Sequence, residues 1–161
     1  MLWLRSAIFT LGLPGTVLLW VPICLSTLEG GRFDIAALRW FGVAPLVTGA
    51  AGLVWCIWDF GRTGKGTLAP IDPPRCVVGT GLYRRVRNPM YVSVLTVLGG
   101  EVLLLGSVRL AVWSVMVAIA FHLFVVAYEE PTLRSKFKES YEAYCRAVPR
   151  WWPKQTRHDP K

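Results

Sequence analysis

Apolar residues run almost unbroken through four stretches of the chain, 7–28, 40–58, 90–108 and 110–128. Each is close to the roughly 20 residues that a helix needs to cross a bilayer core. The first holds Pro14 and Pro22, and is too long and too poor in small-residue cleavage signals for a signal peptide, so it is expected to stay in the mature chain. The second carries the run Gly49-Ala50-Ala51-Gly52, which permits close helix contact, and Trp40, Trp55 and Trp58, which suit a membrane interface. Little more than Ser107 and Arg109 separates the third stretch from the fourth, which predicts a tight helical hairpin. Between the second and third lies a polar segment, 59–89, so rich in Gly and Pro that it reads as an irregular loop; at this length a binding loop is expected rather than a linker. After the fourth, Leu133, Phe137, Tyr141, Tyr144 and Val148 recur at spacings of three to four, the pattern of an amphipathic helix over about 130–148. It should stop before Pro149, leaving Arg150-Trp151-Trp152-Pro153 as an interfacial anchor. The pattern predicts an all-α polytopic membrane protein of one domain, 1–161, with about four transmembrane helices, a Gly/Pro-rich loop and a C-terminal amphipathic helix.

Composition sharpens this picture in two respects. Hydrophobic residues make up 53% of the chain and charged ones only 17%, more apolar surface than a water-soluble domain of this size can bury. The formal net charge of +8 does not point to nucleic acid, because that would need a basic face on a soluble scaffold. Lys and Arg concentrate in the central loop and the C-terminal segment, which the positive-inside rule places together on the cytoplasmic side. Both termini are then expected in the cytoplasm, with the chain in the inner (plasma) membrane if the source is bacterial. Cys24 and Cys56 lie in apolar stretches and Cys76 and Cys145 in polar ones, so free thiols are expected.

Familiar nucleotide motifs fail on spacing. Around Gly64-Lys65, a phosphate loop would need Ser or Thr after the lysine and Gly at 59, where Gly66 and Asp59 stand. Gly79-Thr80-Gly81 lacks the third glycine and the preceding strand of a dinucleotide fingerprint. No Cys or His pair has metal-ligand spacing, and no metal is expected. Glu101 and His122 are ionisable groups inside apolar stretches, where such groups usually face a bundle interior, and both are candidate substrate contacts. The strongest constellation joins residues 81–91, entering the third stretch, with Glu129-Glu130 leaving the fourth. Pro89 should keep Asn88 extended and start a helix immediately after it, leaving free backbone amides suited to a carboxylate. The two acids suit the hydroxyls or ammonium of a cationic cofactor, or else pair with Arg84, Arg85 or Arg87 to hold the loop to the hairpin.

Arg75-Cys76-Val77-Val78-Gly79-Thr80-Gly81-Leu82-Tyr83, then Arg87-Asn88-Pro89-Met90-Tyr91, Glu129-Glu130, Phe137, Tyr141, Tyr144 and Val148-Pro149-Arg150 resemble the isoprenylcysteine carboxyl methyltransferase and phospholipid methyltransferase superfamily. The resemblance spans about 68–153, with its elements in order. It implies an integral membrane enzyme that moves a methyl group from S-adenosylmethionine to a lipophilic or membrane-delivered acceptor. Carried over by position, Arg75, Cys76, Val77, Val78, Gly81 and Tyr83 would wrap the adenosyl part. Asn88, Pro89, Met90 and Tyr91 would meet the amino-acid part, and Glu129 would also bind the cofactor. Arg87, Glu130 and Arg134 become the candidate catalytic residues, Arg87 or Arg134 for an anionic acceptor and Glu130 to orient or deprotonate a neutral one. Two departures matter. Asn88 stands where the family more often has His, and cannot titrate near neutrality; Val125 stands where the isoprenylcysteine enzymes carry a substrate-directed Arg. The alternatives are a non-catalytic scaffold whose arginines hold anionic lipid head groups, and, more remotely, a small transporter using Glu101 and His122. The acceptor and the oligomeric state stay open.

Overall fold

The computed structural model describes residues 15–28, 30–33, 36–63 and 80–153, apart from the side chains of 36–37 and 60–63. All regular structure among these residues is helical. A π-helical turn, Thr16–Trp20, runs without a break into α1 (Val21–Thr27), which carries Pro22 in its first turn. A 3-10 stretch, Ala36–Gly42, leads into α2 (Val43–Thr63). After the 3-10 turn Gly81–Arg84 come α3 (Pro89–Leu105), α4 (Val108–Phe124), a second π-helical turn (Val125–Glu129) and α5 (Glu130–Ala147).

Helices α2 and α3 run antiparallel and share the largest helix–helix interface among the described residues. Small residues make it possible. A Cβ added at Gly49 would lie 2.8 Å from the Ser93 carbonyl oxygen, and one at Gly100 would lie 2.6 Å from the Leu46 nitrogen, so neither position has room for a side chain. Leu18, Val94, Val97, Leu98 and Val117 form the buried core, with Trp113 and Phe121 packed against it. The expected hairpin is tight: Gly106 closes α3 at φ 57, and the Ser107 hydroxyl caps α4 by accepting from the Leu110 N–H at 3.3 Å.

Away from this core the protein is apolar on its outside. Trp20, Phe41, Val54, Val112, Val115, Met116, Ile119 and Leu123 are all exposed. Among the described residues two helices are long and apolar enough to cross a membrane, Leu38–Asp59 and the run Val108–Ala147, while Thr16–Thr27 and Pro89–Leu105 are apolar but shorter. Two elements differ from the pattern reading. α2 continues to Thr63, five residues into the expected loop, because no proline interrupts it before Pro70. The amphipathic helix α5 bends at Lys138, whose φ of 45° and ψ of −122° are not helical, so it is two segments rather than one.

Candidate active site

The site is built where one end of the bundle gathers the start of α3, the end of α4 and the segment before α3. Asn88 has φ −121° and ψ 55°, and Pro89 opens the helix at once, as the sequence predicts. This sets Tyr91 in the first turn of α3, where its ring lies 4.6 Å from that of Phe121 on α4. Its hydroxyl donates to Glu129 Oε2 at 3.0 Å. Glu129 closes the π-helical turn, in which the Glu130 N–H reaches back to the Val125 carbonyl. The extra residue in that turn shifts the angular phase of everything after Val125, and such turns recur at functional sites.

The adjacent acids have opposite surroundings. Burial pushes the Glu129 carboxyl up, the Glu130 charge adds to this, and the Tyr91 hydroxyl only partly opposes it. Glu130 is buried too, with a side chain only 4% exposed. Burial acts to raise it, yet Arg150, Arg87 and Arg134 together hold it below the usual carboxylate range. Its Oε1 accepts from Arg87 Nη1 at 2.8 Å and Arg150 Nε at 2.7 Å, and its Oε2 from Arg150 Nη2 at 2.8 Å. Arg134 Nη2 stands 4.0 Å from the same carboxylate, while its Nε pairs with Glu142 at 2.8 Å across the bend in α5.

Arg87 also ties the chain ends of the site together. Its Nε donates to the Val148 carbonyl at 2.9 Å, Nη1 to Cys145 Sγ at 3.2 Å, and its backbone N–H to the Pro149 carbonyl at 2.9 Å. Asn88 Nδ2 donates to the Arg150 carbonyl at 3.3 Å, and the Tyr144 hydroxyl to the Tyr83 carbonyl at 2.7 Å. Residues 148–150 therefore form a strap across the entry to α3. On the other flank, Asp59 at the end of the α2 apolar run accepts from the Thr80 hydroxyl at 3.2 Å. Gly81 sits at φ 53, with Asp59 and Trp55 in the space a Cβ would need. Tyr83 lies between these groups; burial, reinforced by Cys56, Glu129, Tyr144 and Asp59, raises its hydroxyl so that it stays neutral.

Gly81, Tyr83, Arg87, Asn88, Pro89, Met90, Tyr91, Glu129 and Glu130 thus converge at one end of the bundle. Arg75, Cys76, Val77 and Val78 lie outside the described residues. Glu101 and His122 do not join the site or each other. Glu101 is ten residues along α3 from Tyr91, about 15 Å of helix. Its Oε2 is buried with no hydrogen-bond partner. His122 is exposed on α4, 6.1 Å from the Trp151 ring. Asp59, Thr80 and Arg150 are not among the site residues expected from sequence: Thr80 and Arg150 stand there within the resembling motifs, and Arg150 also as part of an interfacial anchor. A lone acid ending an apolar stretch was the available signal for Asp59.

The donor set suits a cationic, hydroxyl-bearing cofactor: a buried carboxylate held by one neutral hydroxyl, a second carboxylate at Asp59, and the free amides of the first turn of α3. Among the described residues no group of His, Cys, Asp and Glu is arranged to hold a metal. A family model described as phospholipid methyltransferase matches residues 37–140, which include the site residues from Asp59 to Arg134 but not Glu142, Tyr144, Cys145 or the strap. No curated protein and no solved structure matches the chain.

Proposed function

We propose that this chain, which belongs to the phospholipid methyltransferase family, transfers a methyl group from S-adenosylmethionine to a lipophilic or membrane-delivered acceptor. The observation that carries the reading is the Tyr91–Glu129 pair, placed where three polar segments meet at the end of an apolar bundle. S-adenosylmethionine supplies a methyl carbon on a sulfonium, which a nucleophile takes in a single in-line displacement. The protein's own part is then alignment and exclusion of water rather than covalent chemistry.

In this reading Glu129 accepts from the ammonium or hydroxyls of the cofactor, and Tyr91 fixes the carboxylate that does so. Asn88, Pro89 and Met90 present the start of α3 to the amino-acid part, while Gly81, Tyr83 and residues 75–78 face the adenosyl part. Arg87 and Glu130 take a positioning role, because a carboxylate bonded by two guanidiniums is a poor base. Arg134, with its side chain 49% exposed, is the cation best able to meet an anionic acceptor. The four apolar segments cross the membrane, the site faces the cytoplasm with both termini, and the acceptor arrives laterally between helices. Glu101 and His122 would line the path of an acceptor's apolar part, not its reacting head.

Calorimetric titration of the purified, detergent-solubilised protein with S-adenosylmethionine tests this. Saturable binding, weakened tenfold or more by Glu129→Ala and also by Tyr91→Ala, is expected. Absent binding in a folded protein, or undiminished affinity in Glu129→Ala, would overturn it in favour of a scaffold that binds anionic lipid.

A further inference from the structure

The opposite end of the bundle carries a second charged feature, unrelated to the candidate active site. A cavity of about 270 Å³ is lined by Arg32, Phe33, Arg39 and the end of α3 from Leu103 to Gly106. That volume approaches the roughly 300 Å³ at the lower end of small-ligand sites. Two guanidiniums thus share a pocket whose other wall is leucine and backbone, and among the described residues no carboxylate lines it.

The pocket is held in place by the hairpin turn. The Phe33 N–H donates to the Gly106 carbonyl and the Val108 N–H to the Gly31 carbonyl, both at 2.8 Å, so the Arg32 segment is fastened to the α3–α4 turn. Arg109 contributes by donating to the Leu28 and Gly30 carbonyls at 3.0 and 2.7 Å. Arg32 spends one Nη2 bond on the Ser26 carbonyl at 3.1 Å, leaving most of its five donors for the pocket. Arg39 stands over the Trp40 ring at 5.6 Å, a contact that steadies the guanidinium without using its N–H groups. Trp40 and Phe41 are exposed beside it, the arrangement of an aromatic belt at head-group depth.

Paired guanidiniums beside an apolar wall match a phosphate carrying acyl chains: the planar forks take the oxygens and the leucines take the first methylenes. We infer that this pocket binds the phosphate of an anionic phospholipid in the leaflet opposite the Tyr91–Glu129 site. The pocket is a lipid-holding site separate from methyl transfer, and it stands whether or not that reaction occurs.

The test is a thermal-melt titration of the full chain in neutral detergent. Phosphatidylglycerol should raise the melting temperature saturably, phosphatidylcholine much less. Arg32→Gln with Arg39→Gln should weaken the apparent affinity for phosphatidylglycerol by about tenfold to a hundredfold, the effect of losing charge-assisted hydrogen bonds. Arg84→Gln with Arg85→Gln, two exposed arginines at the other end, should leave it unchanged. If the double variant at the pocket does not fold, Arg39→Gln alone carries the same expectation, since among the described residues Arg39 makes only the ring contact. An equal response to phosphatidylcholine, or full retention in the pocket variants, overturns the site. An equal shift with inorganic phosphate, with lipid adding nothing, overturns the lipid assignment.

Discussion

Glu129 and Glu130 are neighbours in sequence, yet one is pushed up by burial and the other held down by arginines. Their pH dependences should therefore separate. A cation bound at Glu129 needs the charged carboxylate, so cofactor affinity should be full above the raised Glu129 pKa and decline as pH falls through it. That decline should begin above the usual carboxylate value of about 4.3. Glu130 behaves otherwise: its folded pKa is depressed, so its stabilisation is present above the unfolded value and is lost as pH falls through the lower, folded one. Calorimetry and thermal melts across pH 4–7 should show affinity failing while the fold holds; simultaneous loss would contradict the assignment. Replacing Glu130 by Ala strands Arg87 and Arg150 and should cost about 3–5 kcal/mol, read as a drop in melting temperature. The acid pair was legible in sequence as a motif. Which acid faces the arginines was not, because that depends on Arg150, twenty residues on, and on a π-helical turn that the apolar residues 125–128 do not announce.

At the scale of elements, Pro89, Gly106 and Ser107 show why the hairpin could be read in advance: each acts on its own backbone or the next turn. The bend at Lys138 could not, since neither a proline nor a glycine marks it; at Thr63 the helix ends just before Gly64, but Gly61 and Gly66 offered competing stops. The α2–α3 seam yields a sharp expectation. Gly49→Leu would force a side chain into Ser93 and Val97 and should destabilise by about 1–3 kcal/mol or more. Gly99→Leu, beside Gly100 but with nothing within 4 Å of its Cβ direction, should be tolerated. Parallel melts of the two variants check this, and equal effects would mean that the close approach at Gly49 is not what holds the helices together.

For the molecule as a whole, the apolar exterior of α4 is the feature that sequence showed most plainly, because the nineteen residues 110–128 without Asp, Glu, Lys or Arg leave few other readings. What sequence could not show is which faces pack and which meet lipid, since α3 and α4 are apolar all round. A lipid bearing a photoactivated diazirine in its chain should label Val112, Val115, Met116 and Ile119 and spare Leu98 and Leu110. Mass spectrometry of the labelled peptides decides it; unlabelled Val112 to Ile119 would mean that protein covers that face.

The strap has a consequence in time. Residues 148–150 close over the start of α3, some sixty positions earlier in the chain, through Arg87, Asn88 and Glu130. Synthesis proceeds from the N-terminus, so the bundle can enter the membrane helix by helix while its polar end still lacks its fastening. The site is then the last part of the molecule to mature, and a chain stalled on the ribosome before Val148 emerges would be inserted but unfinished.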